Sequence, residues 1–197
     1  MAQRLERVRR HSEALIAPLE PEDLCLQGMA DASPPKWHLG HTAWFFETFL
    51  LAPHLPGWQL ADARWGYLFN SYYDAIGSRH PRPQRGLLTR PPIAALLAWR
   101  QRIHTGLQLL LEGLAHRPVA EATALLALLE LGVQHEQQHQ ELLLMDLLDG
   151  FSRQPLEPAY SQAEAGPEGR WRQRWPTGSD SASGWLGFQG GLVEIGH

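Results

Sequence analysis

Two histidines four residues apart, His135 and His139, sit inside a leucine-rich run with no Pro from Val119 to Leu148. That run reads as one long helix, and a spacing of four places both imidazoles one turn apart on the same helix face. There they can grip one metal ion through bonds of roughly 2.0–2.1 Å. The apolar residues Leu128, Leu131, Leu142 and Met145 share a stripe with His135, which predicts that this face turns toward a core. Burying a histidine pair is costly unless something ligates or hydrogen-bonds it. Metal is the economical explanation; a satisfied structural pair is the alternative.

Three further helices are expected. The first runs from about Arg4 to Leu19, with Leu5, Val8, Ser12, Leu15 and Leu19 on one stripe. The second opens at Ser33-Pro34-Pro35-Lys36, with Ser33 as N-cap, and continues to Leu51 until Pro53 stops it. The third follows Thr89-Arg90-Pro91-Pro92 and ends near His116, and the helix with the histidine pair ends at Gly150 as a C-terminal cap. The expected fold class is therefore all-α, a four-helix bundle whose sites are built from inward-projecting side chains. The stretch from Ala52 to Arg90 has no clean periodicity. Its aromatic and arginine content (Trp58, Trp65, Tyr67, Phe69, Tyr72, Tyr73, Arg79, Arg82, Arg85) suits a binding loop for a small polar ligand.

A third metal ligand is expected from Trp37-His38-Leu39-Gly40-His41. His41 shares a stripe with Trp44, Phe45 and Thr48, which points it inward. His38, nearer the helix start, is more easily solvated, or serves as a hydrogen-bonding partner behind the ligands. His11, His54, His80, His104 and His116 read as surface or loop residues. Three neutral imidazoles leave the full charge of a divalent ion in place, which favours a soft anionic ligand such as a thiolate and leaves positions for water or dioxygen. His135-Glu136-Gln137-Gln138-His139 also spells the zinc-protease pattern H-E-x-x-H. Leu142, Leu143, Leu144 and Met145 follow where a metzincin needs Gly and His, and Glu157, Glu164 and Glu168 fall in a Pro/Gly-rich stretch, so a protease is disfavoured.

Over 197 residues the net charge is −4 with both signs dispersed, which gives no footprint for nucleic acid or an anionic membrane. No run approaches the roughly 18 apolar residues of a membrane span. A charged, amphipathic start without a signal-peptide core and a lone Cys25 fit a cytoplasmic protein.

Four segments, in order, resemble the ergothioneine-biosynthesis sulfoxide synthases (the EgtB family). They are Trp37-His38-Leu39-Gly40-His41-Thr42-Ala43-Trp44-Phe45-Phe46-Glu47, Tyr67-Leu68-Phe69-Asn70-Ser71-Tyr72-Tyr73, Arg79-His80-Pro81-Arg82-Pro83-Gln84-Arg85-Gly86, and His135-Glu136-Gln137-Gln138-His139-Gln140-Glu141. The resemblance implies a DinB-like metal-binding four-helix bundle over residues 1–150, a linker over 151–184, and at 185–197 the first strand of a truncated sulfatase-modifying-factor-like domain. It implies non-haem Fe(II) held by His41, His135 and His139, with dioxygen as co-substrate. The reaction would join a cysteine-containing thiol, such as γ-glutamylcysteine, to the imidazole of hercynine (Nα-trimethylhistidine) as a sulfoxide. Gln138 would line the hercynine pocket, Arg82 and Arg85 would clamp substrate carboxylates with Arg79 as a third, and Trp44, Trp65, Tyr72 or Tyr73 would face the trimethylammonium group. In that family a proton-donating tyrosine belongs to the second domain, so this chain is expected to bind metal but turn over poorly without that domain, in cis or trans. The alternative is a DinB-like divalent-metal module, or a thiol transferase, without oxygen chemistry.

Overall fold

In the computed structural model, residues 1–71, 77–161, 189–192 and 194 are described. The chain divides into two compact units, Met1–Ser161 and Gln162–His197. The first is helical and holds no strand among its described residues: α1 (Ala2–Ile16), α2 (Pro35–Phe46), the single turn α3 (Ala52–His54), α4 (Trp65–Phe69), α5 (Ile93–Gly113) and α6 (Val119–Ser152). In the second unit, residues 189–192 and 194 belong to no helix or strand. The rest of the strand expected there, like Tyr72 and Tyr73, lies outside the described residues.

Helix α2 packs on α6 and α5, and α1 packs on the same two, so the four longest helices surround one core. Its centre is Leu5 and Val8 of α1, Leu39, Ala43 and Phe46 of α2, Leu96, Ile103 and Leu107 of α5, and Leu129, Val133 and Leu143 of α6. Every residue of α2 is buried, Lys36, His38 and His41 included. A helix closed in on all sides is where polar side chains must find protein partners, and this one carries the histidines.

The structure corrects several expected boundaries. Helix α1 ends at Ile16, and Leu19 reaches the core from the turn behind it, where its N–H donates to the Ile16 carbonyl. Ser33 does not cap α2; the flanking residue is Pro34, in extended conformation. The Ser33 N–H donates instead to Asp146 Oδ2 at 2.8 Å, and its Oγ accepts from Arg85 Nη1 at 2.8 Å. Pro53 does not stop the helical path, because a π-helical turn over Glu47–Leu51 carries the chain through it to His54. Gly150 lies inside α6 and not at its cap; a Cβ there would run into the Leu26 side chain, so close approach is what the glycine permits.

The largest correction concerns the register of α6. Leu131 and Met145 of the expected inward stripe are 56% and 57% exposed. The buried face is Leu125, Leu129, Gly132, Val133, Glu136, Leu143 and Leu147. A carboxylate sits at the middle of that face because partners meet it: Glu136 Oε1 accepts from Ser12 Oγ at 2.7 Å and Arg100 Nη2 at 2.5 Å, and Oε2 from Arg9 Nη1 at 3.2 Å. His135 and His139 consequently flank the core face and are only partly buried.

Between α2 and α5, the loop has structure of its own. Helix α4 packs on α2, and a 3₁₀ turn covers Arg82–Leu87. Gln27 fastens that turn: its Nε2 donates to the Arg82 and Ala32 carbonyls, and its Oε1 accepts from the Gly86 N–H.

Candidate metal centre

His41 projects from α2 toward the flank of α6 that carries His135 and His139, and one ring nitrogen of each lies within 4.8 Å of the others. His41 Nε2 and His135 Nε2 are 3.2 Å apart. Neighbouring nitrogens bound to one ion at 2.0–2.1 Å stand about 2.9–3.4 Å apart, whether the angle is octahedral or tetrahedral. This pair already has the spacing a shared ion imposes, so the residues fit a metal. His11, His54, His80, His104 and His116 are not part of the cluster.

The surroundings fix the His41 ring. A carbonyl oxygen can only accept, so His41 Nδ1, 2.6 Å from the Phe69 carbonyl, carries the proton and leaves the Nε2 lone pair facing the centre. Trp37 stacks on the ring at 4.7 Å and 11°, and Trp44 at 5.5 Å and 20°. Arg85 in turn lies 3.4 Å over the Trp37 ring.

All the imidazoles of the cluster are held neutral. Burial pushes His135 down to about 4. Burial likewise lowers His41, with the neighbouring His135 adding to it, and lowers His139, with His41 and His38 adding to it. His38 is also lowered by burial, against the pull of Asp146. Neutral imidazole is the ligating form, so no ligand proton has to be displaced near pH 7.

A cavity of about 440 Å³ opens onto the cluster, with Trp37, His38, His41, His135 and His139 on its inner wall and Met29, Asp31, Ser71, Arg82, Gln138, Leu142, Met145 and Asp146 completing the lining. Among the residues expected to meet substrate, Arg82 and Gln138 are on this wall. Arg79 and Arg85 are not: Arg79 Nη1 donates to the Ser71 carbonyl, and Arg85 sits behind Trp37, buried against Ser33. Trp44 stacks on His41, and Trp65 meets Trp99 edge-to-face with ring centroids 4.8 Å apart; neither is on the cavity lining.

Glu136 is not in the cavity wall either. Burial raises its carboxyl, but Arg100 and Arg9 more than offset that and bring it down to about 2. A carboxylate with its oxygens so occupied is too weak a base, and too enclosed, to activate water, which removes the protease reading on structural grounds.

Sequence reasoning missed Asp146, the Phe69 carbonyl and the Arg9–Glu136–Arg100 cluster. Asp146 had a signal, since it follows His139 by seven residues, two turns along the same side of α6. Arg100 had one too, lying on the apolar stripe Leu96, Trp99, Ile103 and Leu107 of α5.

The family model of the DinB superfamily matches residues 4–143, a stretch that includes His41, His135 and His139, the three histidines able to hold a metal. The chain belongs to the DinB superfamily. Comparison with curated proteins gives no match. In this DinB domain, no helix among the described residues is long and apolar enough to cross a membrane.

Proposed function

We propose that this DinB domain is the iron-binding part of an oxygen-dependent sulfoxide synthase that couples a cysteine-containing thiol, γ-glutamylcysteine or cysteine, to hercynine. The observation that carries the reading is the convergence of three neutral imidazoles, without a carboxylate, at the inner wall of a cavity with Arg82 and Gln138 on its lining. Fe(II), if held by His41, His135 and His139, would relay electrons from the two substrates to dioxygen and offer a cationic centre that attracts a thiolate.

The chain's own residues bind and orient. Arg82 pairs with a substrate carboxylate, for which a guanidinium is geometrically matched. Asp31 offers the opposite charge on the same wall, which suits a zwitterion such as hercynine. Gln138 supplies an amide donor and acceptor for the imidazole ring. Leu142 and Met145 keep one side of the cavity apolar and limit water. Holding two substrates together makes bond formation effectively unimolecular. Arg79 and Arg85, which the sequence resemblance offers as further carboxylate contacts, lie off this wall, against the Ser71 carbonyl and the Trp37 ring, where they support two residues that line the cavity.

The second reading is a divalent-metal module or thiol transferase without oxygen chemistry, favoured by a family match that reaches the DinB superfamily and nothing finer. Anaerobic calorimetry separates the two. The Fe(II)-loaded protein is expected to bind hercynine, and to give a hercynine–thiol sulfoxide by mass spectrometry when thiol and oxygen are added together with any second domain the reaction requires. Preference for zinc with no hercynine binding to either metal form rejects the synthase reading in favour of the module.

A further inference from the structure

The chain Asp146–His38–His139 has no assigned task in the reading above, and its geometry is directional. Asp146 Oδ2 accepts the Ser33 N–H at 2.8 Å and lies 3.1 Å from His38 Nε2. A carboxylate oxygen already acting as acceptor calls for a donor, so His38 carries its proton on Nε2. That leaves a lone pair on His38 Nδ1, which is 2.8 Å from His139 Nδ1. His139 must therefore donate from Nδ1, and its remaining lone pair is on Nε2. His38 and Asp146 are 3% and 6% exposed, so bulk water does not compete for these bonds.

We infer that Asp146 and His38 are positioning residues that set the tautomer of His139, so that its Nε2 lone pair is presented to a metal. Free histidine side chains favour the opposite tautomer, with the proton on Nε2, so the pair works against an intrinsic preference. The Phe69 carbonyl does the same for His41. His135 differs: its Nδ1 is buried with no hydrogen-bond partner among the described residues. Two ligands are preset by the fold and the third is set by the metal itself. Outer partners of this kind typically change metal affinity about 10–100-fold. The inference rests on the metal-binding part of the proposed function, and not on iron, oxygen or substrate.

Two-bond ¹⁵N–¹H correlation spectra of the metal-free protein at pH 7.5, followed by titration with Co(II) monitored by visible absorption, test it. The expected result is Nδ1–H for His41 and His139, with His135 in a mixture or the Nε2–H form. His38→Leu should shift His139 toward Nε2–H and weaken Co(II) binding about 10–100-fold. His38→Asn, whose amide oxygen can stand where Nδ1 stood, should recover most of both. An Nε2–H His139 in the unsubstituted protein overturns the inference without any variant having to fold. So does a folded His38→Leu protein with unchanged His139 tautomer and unchanged affinity, or His38→Asn behaving like His38→Leu. If the tautomers are as stated but no divalent metal binds, the hydrogen-bond chain stands as a structural feature, while its positioning role and the metal reading are both rejected.

Discussion

Arg100 Nη2 donates to Glu136 Oε1 across 2.5 Å, with the Arg100 side chain wholly buried and that of Glu136 1% exposed. Arg9 completes a three-charge cluster that ties α1, α5 and α6 together directly behind the histidine pair. Removing one member of a buried cluster leaves an uncompensated charge, which costs about 3–5 kcal/mol. Glu136→Gln should therefore lose stability of that order in urea denaturation while retaining metal stoichiometry at saturating metal. A variant with full stability and metal but no activity would instead mark Glu136 as a general base.

The metal centre predicts a different pattern. A ligand that binds only the folded state stabilises it by RT ln(1 + [L]/Kd), about 2.7 kcal/mol at one hundred times Kd. Divalent metal should raise the thermal midpoint of the unsubstituted protein. His41→Ala, His135→Ala and His139→Ala should each abolish most of that rise, and His11→Ala, an exposed position on α1, should leave it intact. Differential scanning fluorimetry with and without metal checks this directly. An equal rise in all four variants would place the ion elsewhere.

How far the sequence revealed this site follows from where each residue's partners are. The spacing of His135 and His139 is local, and it correctly brought both onto one side of a helix, with His41 facing them. The register of α6 was misread because Glu136 is a core residue only through Arg9 and Arg100, which are 127 and 36 positions away. A hydropathy stripe assigns any carboxylate to solvent, so it rotated toward Leu131 and Met145. A serine just ahead of a helix suits a cap, but the donor and acceptor of Ser33 are used by Asp146 and Arg85. Long-range polar pairing is invisible to periodicity. Apolar pairing is not.

Proton linkage gives the third prediction. His135 falls to about 4 from an ordinary value of 6.5, and His38, His41 and His139 fall as well. The unfolded chain then binds more protons than the folded one below about pH 6.5, so stability rises with pH there, by up to about 1.4 kcal/mol per pH unit for each such group. The stabilising effect is complete above the unfolded value and is lost as pH drops from about 6.5 toward about 4 for His135. Urea midpoints of the metal-free protein should decline through this range, and less steeply in His135→Ala. At pH 7, calorimetric metal titration in buffers of differing ionisation enthalpy should detect almost no proton release from the imidazoles. Release of one proton or more per ion would show that the ligands are charged in the fold.

Gly40 lies between His38 and His41 on α2, and a Cβ at that position would enter the Phe69 ring, meeting Cε1, Cδ1 and Cζ. The Phe69 carbonyl holds the His41 Nδ1 proton, so pushing the ring away disturbs the bond that aims His41. Gly40→Ala should cost about 1–3 kcal/mol through overpacking and, unlike an ordinary core defect, weaken metal binding about 10-fold as an outer partner is displaced. Gly113→Ala is the matched control, because nothing lies near its Cβ and alanine is the better helix former, by up to about 1 kcal/mol. Stability from urea denaturation and Kd from Co(II) titration, measured on both variants, decide the matter. If Gly40→Ala binds metal as tightly as Gly113→Ala despite lower stability, the Phe69 carbonyl is not what orients His41.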